Sequence, residues 1–264
     1  MLFKDCSGED KMRKVQIVLV VVLMIVGIAG VSFAGGLYIR LGGGYGLGLG
    51  GMNTGRQQTA QETWTKDVPV NVGQGFPIAV DVGCKINENL AIEVGAGYTI
   101  GIESEKINEL YNVFGTGDTT AFTFKGSWIP ITAGVKHIFT LGPLKPYFSV
   151  GAGAYFGTVI QKYTNGGTKE EWEITLSGIN VGSYASGGVE FFISEMISIF
   201  GEARLDKVLF GASQQEVTKY TVDGVDKLPT LTINQRHGSG LPIPVATIVS
   251  ADCLSIRSGV GINF

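Results

Sequence analysis

Charge is scarce in this chain. Asp, Glu, Lys and Arg make up 16% of its 264 residues, and they sum to −3. No basic cluster occurs, so the electrostatic footprint that a nucleic-acid partner requires is missing. Histidine occurs twice and cysteine three times. No Cys/His zinc spacing and no calcium-loop pattern is present, so neither a metal nor a cofactor is expected. Glycine never falls into a G-X-Y period, which excludes a collagen-like fibre. Only one long apolar run exists, residues 15–31, broken by Gln16 alone.

That run reads as a signal peptide. Lys11, Arg13 and Lys14 precede it, and Ser32-Phe33-Ala34 supplies a small-x-small cleavage site before Gly35. Residues 1–11 read as an upstream extension, with Met12 as the start. The mature domain is then 35–264. Cys6 falls outside it, and Cys84 and Cys253 are expected as free thiols near opposite barrel ends.

What the chain has in abundance is glycine, 40 residues, set inside apolar alternation. In the stretch from Gly35, Leu37, Ile39, Leu41, Tyr45, Leu47 and Leu49 share one parity, and Tyr38, Arg40, Gly42, Gly44, Gly46 and Gly48 the other. A period of two is a strand. One face is oily; the other is tiny or charged. A soluble sandwich hides its large apolar residues, whereas this pattern suits lipid outside and a cramped polar interior. GLGLGG is not a phosphate loop, because the alternation continues straight through it where a strand-to-helix turn is needed.

The pattern recurs eight times, the last time at the C-terminus, where Ile256, Val260, Ile262 and Phe264 oppose Arg257, Gly259, Gly261 and Asn263. Three connections are short (87–89, 140–145, 194–196). Four are long (51–74, 103–120, 159–174, 212–244). The sequence therefore predicts an all-β fold: a closed antiparallel eight-stranded transmembrane β-barrel with long extracellular loops and short periplasmic turns. Closure is required because unpaired backbone groups in lipid are costly. Ten strands stay open if 159–178 pairs into the sheet. A bulk-solute porin is excluded, since the chain cannot supply sixteen strands.

Arg257-x-Gly259-x-x-Ile262-x-Phe264 resembles the C-terminal assembly signal of outer-membrane barrel proteins. Together with residues 145–157 (KPYFSVGAGAYFG) and 187–206 (GGVEFFISEMISIFGEARLD), the mature chain is similar to the small eight-stranded outer-membrane β-barrel family, which includes the transmembrane domain of outer-membrane protein A and porin-like barrels. The resemblance implies a Gram-negative outer membrane, contact with its lipid and lipopolysaccharide, and insertion by the barrel assembly machinery. It does not imply one activity, because the family hosts adhesins, anchors, transporters and lipid enzymes.

Parity places Arg40, Lys85, Lys136, Arg204 and Arg257 in the lumen with Asp81, Glu93, Glu190, Glu202 and Asp206, an expected ion-pair network. Phe139, Phe148, Phe191 and Phe264 are expected as an aromatic belt at the periplasmic interface, and Tyr98 and Phe156 near the outer one. His137 falls on the lipid-facing parity. His237-Gly238-Ser239 resembles the His-x-Ser of lipid A deacylases, but no acid stands at a suitable strand position. In the loops, 107–114 (INELYNVF) suits a short helical turn, and Asp223-Gly224 a hairpin turn within 217–233. Tyr111, Phe114, Trp172 and Tyr220 are candidate contacts for an extracellular ligand. The expected role is that of a non-enzymatic outer-membrane protein, structural or surface-interacting through its loops. A narrow channel or small-solute transporter is the alternative, and a lipid A-acting enzyme a second one.

Overall fold

A computed structural model describes residues 36–49, 52–58, 64–103, 107–110, 119–165, 169–232 and 248–264. The expected signal peptide and cleavage site, and Tyr111, Phe114 and His237, lie outside the described residues. Eight strands form the barrel: β1 (Leu37–Gly48), β2 (Gly75–Lys85), β3 (Leu90–Gly101), β4 (Thr119–Ile138), β5 (Leu144–Asn165), β6 (Glu170–Phe192), β7 (Ile197–Gly211) and β8 (Cys253–Asn263). Each is antiparallel to the next. β8 returns to β1 in an unbroken register from Tyr38↔Asn263 to Gly48↔Cys253, and the sheet has no membrane edge.

β7 displays the rule that makes these residues a membrane strand. Exposed and buried positions alternate along its whole length. Ile197, Ile199 and Leu205 face outward, each more than two-fifths exposed, while Ser198, Glu202, Arg204 and Asp206 are buried inside. Large apolar side chains lie outside and charges inside, the inverse of a soluble core. The solvent around this wall is lipid.

Three strands outrun the membrane. β4, β5 and β6 have 20, 22 and 23 residues, about twice the 9–11 that cross a bilayer. The excess, at ~3.3 Å per residue, carries them on the order of 30 Å past the barrel rim. The expected loop 159–174 is therefore strand over 159–165 and 170–174. It continues β5 and β6, paired from Gly157↔Gly178 to Asn165↔Glu170. Residues 159–165 and 170–178 do join the sheet, but as extensions, so the barrel's strand count stays at eight. Unpaired backbone groups leaving the membrane are satisfied most simply by continuing the ladder.

Polarity reverses along these strands. Below the Gly157–Gly178 pair, Phe156, Ile179 and Val181 face outward and exposed; above it, Val159, Ile174 and Leu176 are fully buried on the inner face. Lys162 and Glu173 now point to the outside. The reversal marks where lipid gives way to water.

Gln214–Val222 extends this outer sheet by pairing with the top of β6, and turns at Asp223-Gly224 into Val225–Asp226. Both turn residues have positive φ, 51° and 77°, the requirement of a two-residue type I′ turn. Ile107–Leu110, expected as helical, is extended and pairs with the first residues of β4. That start of β4 projects as an edge, and an edge recruits any neighbouring extended segment. Trp172 and Tyr220 are not free contacts either: their rings stack at 3.8 Å, with Trp172 buried in the inner core of the outer sheet.

Candidate functional site

The lumen holds two layers. The lower one is ionic. Arg40, on β1, reaches Glu93 on β3 at 2.8 Å, Asp81 on β2 at 3.3 Å and Glu202 on β7 at 3.6 Å. Arg257, on β8, pairs with the same Glu202 and lies 3.6 Å from Asp81. Lys136, on β4, stands 3.6 Å from both Glu93 and Glu190. Arg204 and Asp206, two residues apart on one face of β7, form a separate pair at 2.9 Å. Inward positions from seven strands, Glu190 on β6 among them, thus converge, which only strict period-two alternation around a closed ring can arrange.

Hydroxyls and rings complete this layer. Tyr147 accepts a hydrogen bond from Arg40 at 2.8 Å and donates one to Glu202 at 3.0 Å. Tyr155 donates to Asp206 at 2.7 Å. Ser198 donates to Glu190. Arg40 lies over the Tyr147 and Phe200 rings, and Arg204 lies 3.8 Å above Tyr184. Buried charges are tolerable only with this degree of pairing. Tyr147 and Tyr184 are not among the lumen residues expected from the sequence; their parity could have found them, their hydroxyl role not.

Lys85 departs from expectation. It is the last residue of β2, at the barrel mouth, and its Nζ lies 3.5 Å from the Asn263 side-chain oxygen, with no carboxylate at ion-pair distance among the described residues. Four buried cations therefore face five buried carboxylates, with hydroxyls supplying further donors.

The upper layer is apolar. Val72, Trp128, Tyr155, Val208, Phe210, Ala251 and Cys253 pack together. Val72 arrives from the segment between β2 and a separate antiparallel strand pair, Met52–Gln58 with Trp64–Val70. Asn71 anchors that segment: its side-chain amide donates to the Leu49 and Asp252 carbonyls at 3.2 and 2.8 Å, and its oxygen accepts from the Gly73 amide at 2.7 Å. Gly126 permits the approach, because a Cβ there would sit 2.5 Å from the Val72 Cα. No sequence alternation signals this plug; only its short apolar-polar run, Val70-Asn71-Val72, is visible. Between the layers, beside Asp81, Trp128 and Arg204, is a void of about 30 Å³, room for water and not for a solute.

On the outer wall the expected belt residues all face outward. Phe139, Phe148, Phe191 and Phe264 are exposed at the short-turn end, with the His137 ring 4.7 Å from Phe139 and 5.5 Å from Phe148. Tyr98 and Phe156 are exposed toward the other rim. Tyr45 and Phe76, edge to face at 5.4 Å, join that rim. Of the terminal motif, Ile262 and Phe264 point outward, whereas Arg257 points into the ionic layer and Gly259 meets β1. Cys84 and Cys253 are free thiols at opposite ends of β1's register, and Cys253 donates to the Gly73 carbonyl at 3.0 Å. Among the described residues no His, Cys, Asp or Glu group could hold a metal ion.

No protein-family model matches the chain, and no curated protein is similar to it in sequence. Several solved structures align with it at low sequence identity. The Neisserial surface protein A is 14% identical, with 86% of this chain and 97% of that one covered and a TM-score of 0.37. A major outer membrane protein from Thermus thermophilus is 14% identical, covering 87% and 99%, TM-score 0.43. The outer membrane protease OmpT from Escherichia coli is 8% identical, covering 89% and 99%, TM-score 0.46. From its own strand pairing and inverted polarity, the chain is a closed eight-stranded antiparallel membrane β-barrel of the small outer-membrane type.

Proposed function

We propose that the chain is a non-enzymatic protein of the bacterial outer membrane, a plugged barrel that holds an outer sheet above the lipid as its interaction surface. The observation that carries this reading is the lumen, closed twice over by the Arg40–Glu202–Arg257 cluster and by the Val72 plug. Eight strands enclose a space that side chains just fill. Binding from the long-loop side is then left to the projecting sheet of β4, β5, β6 and 214–222. Its outward face carries exposed ion pairs, Lys162–Glu103 at 3.3 Å and Lys219–Glu171 at 2.7 Å. The hydrogen bond from Lys219 holds the Glu171 carboxyl below its usual range, which favours the ionised form of this pair. Outer-leaflet lipid and lipopolysaccharide are the proposed surroundings.

Planar-bilayer recording tests the plug. The full-length protein is expected to be silent, and Asn71→Ala, which frees three anchoring hydrogen bonds, to show intermittent openings. Steady wild-type conductance would instead make the protein a narrow channel.

Arg257, Gly259, Ile262 and Phe264 are proposed as the signal read by the assembly machinery. Phe264→Ser removes an outward ring that is 66% exposed and touches neither lumen layer. Its expected result is a several-fold drop in heat-modifiable barrel in cells with normal refolding from urea in vitro. Equal loss in both settings would make Phe264 a stability residue.

A further inference from the structure

The short-turn mouth of the barrel contains a feature that neither the plug nor the outer sheet uses. A cup of about 480 Å³ opens there, below the ionic layer. This is the size of a small-molecule site. Tyr38, Ile138 and Phe192 supply apolar walls, and Lys85, Lys136, Lys145 and Asn263 supply polar ones.

Three lysine ammoniums line it against two carboxylates. Lys85 and Lys145 both hold their ammoniums over the one Phe192 ring, at 5.8 and 4.1 Å. Among the described residues neither has a carboxylate within ion-pair distance. Two cations over a single ring repel each other unless an anion joins them. Lys136 is 1% exposed, and its Nζ makes no hydrogen bond, although Glu93 and Glu190 stand 3.6 Å away. The Asn263 side-chain amide, on a residue 8% exposed, likewise donates to nothing. Buried donors are normally satisfied.

Two acids share the cup. Glu190 is already engaged by Ser198 and Lys136, and Glu88 belongs to the exposed β2–β3 turn. Neither approaches Lys85 or Lys145 to ion-pair distance.

We infer that this cup is an anion site that takes the phosphate or carboxylate head of a small organic anion between Lys85 and Lys145, with Asn263 donating and Phe192 against the body of the ligand. An acceptor-only, charged group there meets both ammoniums and the unpartnered Asn263 amide at once, and charge-assisted bonds are the stronger kind. The ligand would come from the short-turn side, and the plug would make the site blind.

Calorimetry on the full-length protein in a zwitterionic detergent tests this with phenyl phosphate, benzoate and, as the neutral counterpart, benzyl alcohol. Both anions are expected to bind with submillimolar affinity and the alcohol not to bind. Lys85→Gln and Lys145→Gln should each weaken binding about tenfold, and the double variant should abolish it. Lys85 and Lys145 lie outside the ionic layer, so unchanged heat-modifiability keeps the variants interpretable. Asn263→Asp, which keeps both lysines, should also weaken binding. Short-chain phosphatidylglycerol that binds in a lysine-dependent way while phenyl phosphate does not would assign the anion to a lipid headgroup. No binding of any anion at 10 mM (about the weakest affinity worth calling a site), or binding indifferent to both lysines, would overturn the inference.

Discussion

Glu202→Gln should cost the barrel about 3–5 kcal/mol, the scale for removing one partner from a buried ion pair. Glu202 receives Arg257 and the Tyr147 hydroxyl and lies 3.6 Å from Arg40. Its side chain has no solvent access. The amide keeps the shape and removes the charge, so two guanidiniums are left facing Asp81 and Glu93 alone. The measurement is equilibrium urea unfolding in lipid vesicles: the midpoint should fall with the slope unchanged. A Glu202→Met/Arg257→Met double variant should recover part of the loss, because the penalty lies in the stranded charge rather than in the missing attraction. Glu171→Gln is the surface counterpart. It breaks a 2.7 Å pair whose side chains are about half exposed, and the midpoint should not move. Equal effects at Glu202 and Glu171 would show that the lumen is wet and the network ornamental.

That this network could be located from sequence, while the outer sheet could not, has one physical cause. Within the bilayer, every strand answers to the same two solvents, so parity alone sends Arg40, Glu93, Glu202 and Arg257 inward. The terminal parity of Lys85 is the same, but parity says nothing about depth, and Lys85 sits at the mouth. Above Gly157 and Gly178 the outside is water. There Val159, Ile174 and Leu176 turn inward and Lys162 and Glu173 outward, the ordinary soluble alternation. A reading tuned to oily outer faces ends where the oil ends, and it assigns the remainder to loops. Val72 was hidden for a different reason. Its position depends on three side-chain hydrogen bonds from Asn71 to distant backbone, and no local period records such a contact.

Gly44→Val and Gly259→Val should prevent closure of the barrel, with the folded fraction falling below half in vitro. The seam between β1 and β8 is unusually close-packed. A Cβ on Gly44 would overlap the Ile256 carbonyl and lie 2.9 Å from the Arg257 Cα. One on Gly259 would overlap the Leu41 carbonyl and lie 2.6 Å from the Gly42 Cα. Gly42 in turn leaves room for the Phe200 ring, which a Cβ would meet at 2.7 Å. The atoms in the way are backbone, and backbone in a hydrogen-bonded ladder cannot swing aside as a side chain can. Overpacking ordinarily costs about 1–3 kcal/mol; here relief would require breaking ladder bonds in lipid, at several kcal/mol each. Against a net stability of about 5–15 kcal/mol, one such residue is enough to shift the population. Two nearby glycines supply the contrast. A Cβ on Gly43 meets only the Pro77 carbonyl, at 3.5 Å, and one on Gly201 meets nothing within 4 Å. Gly43→Ala and Gly201→Ala should therefore refold as the native chain does. The band shift on unheated electrophoresis reads all four. Normal folding of Gly44→Val would mean that β1 and β8 join more loosely than this register allows, and a loose seam would make Arg257 a rim charge rather than part of the ionic layer.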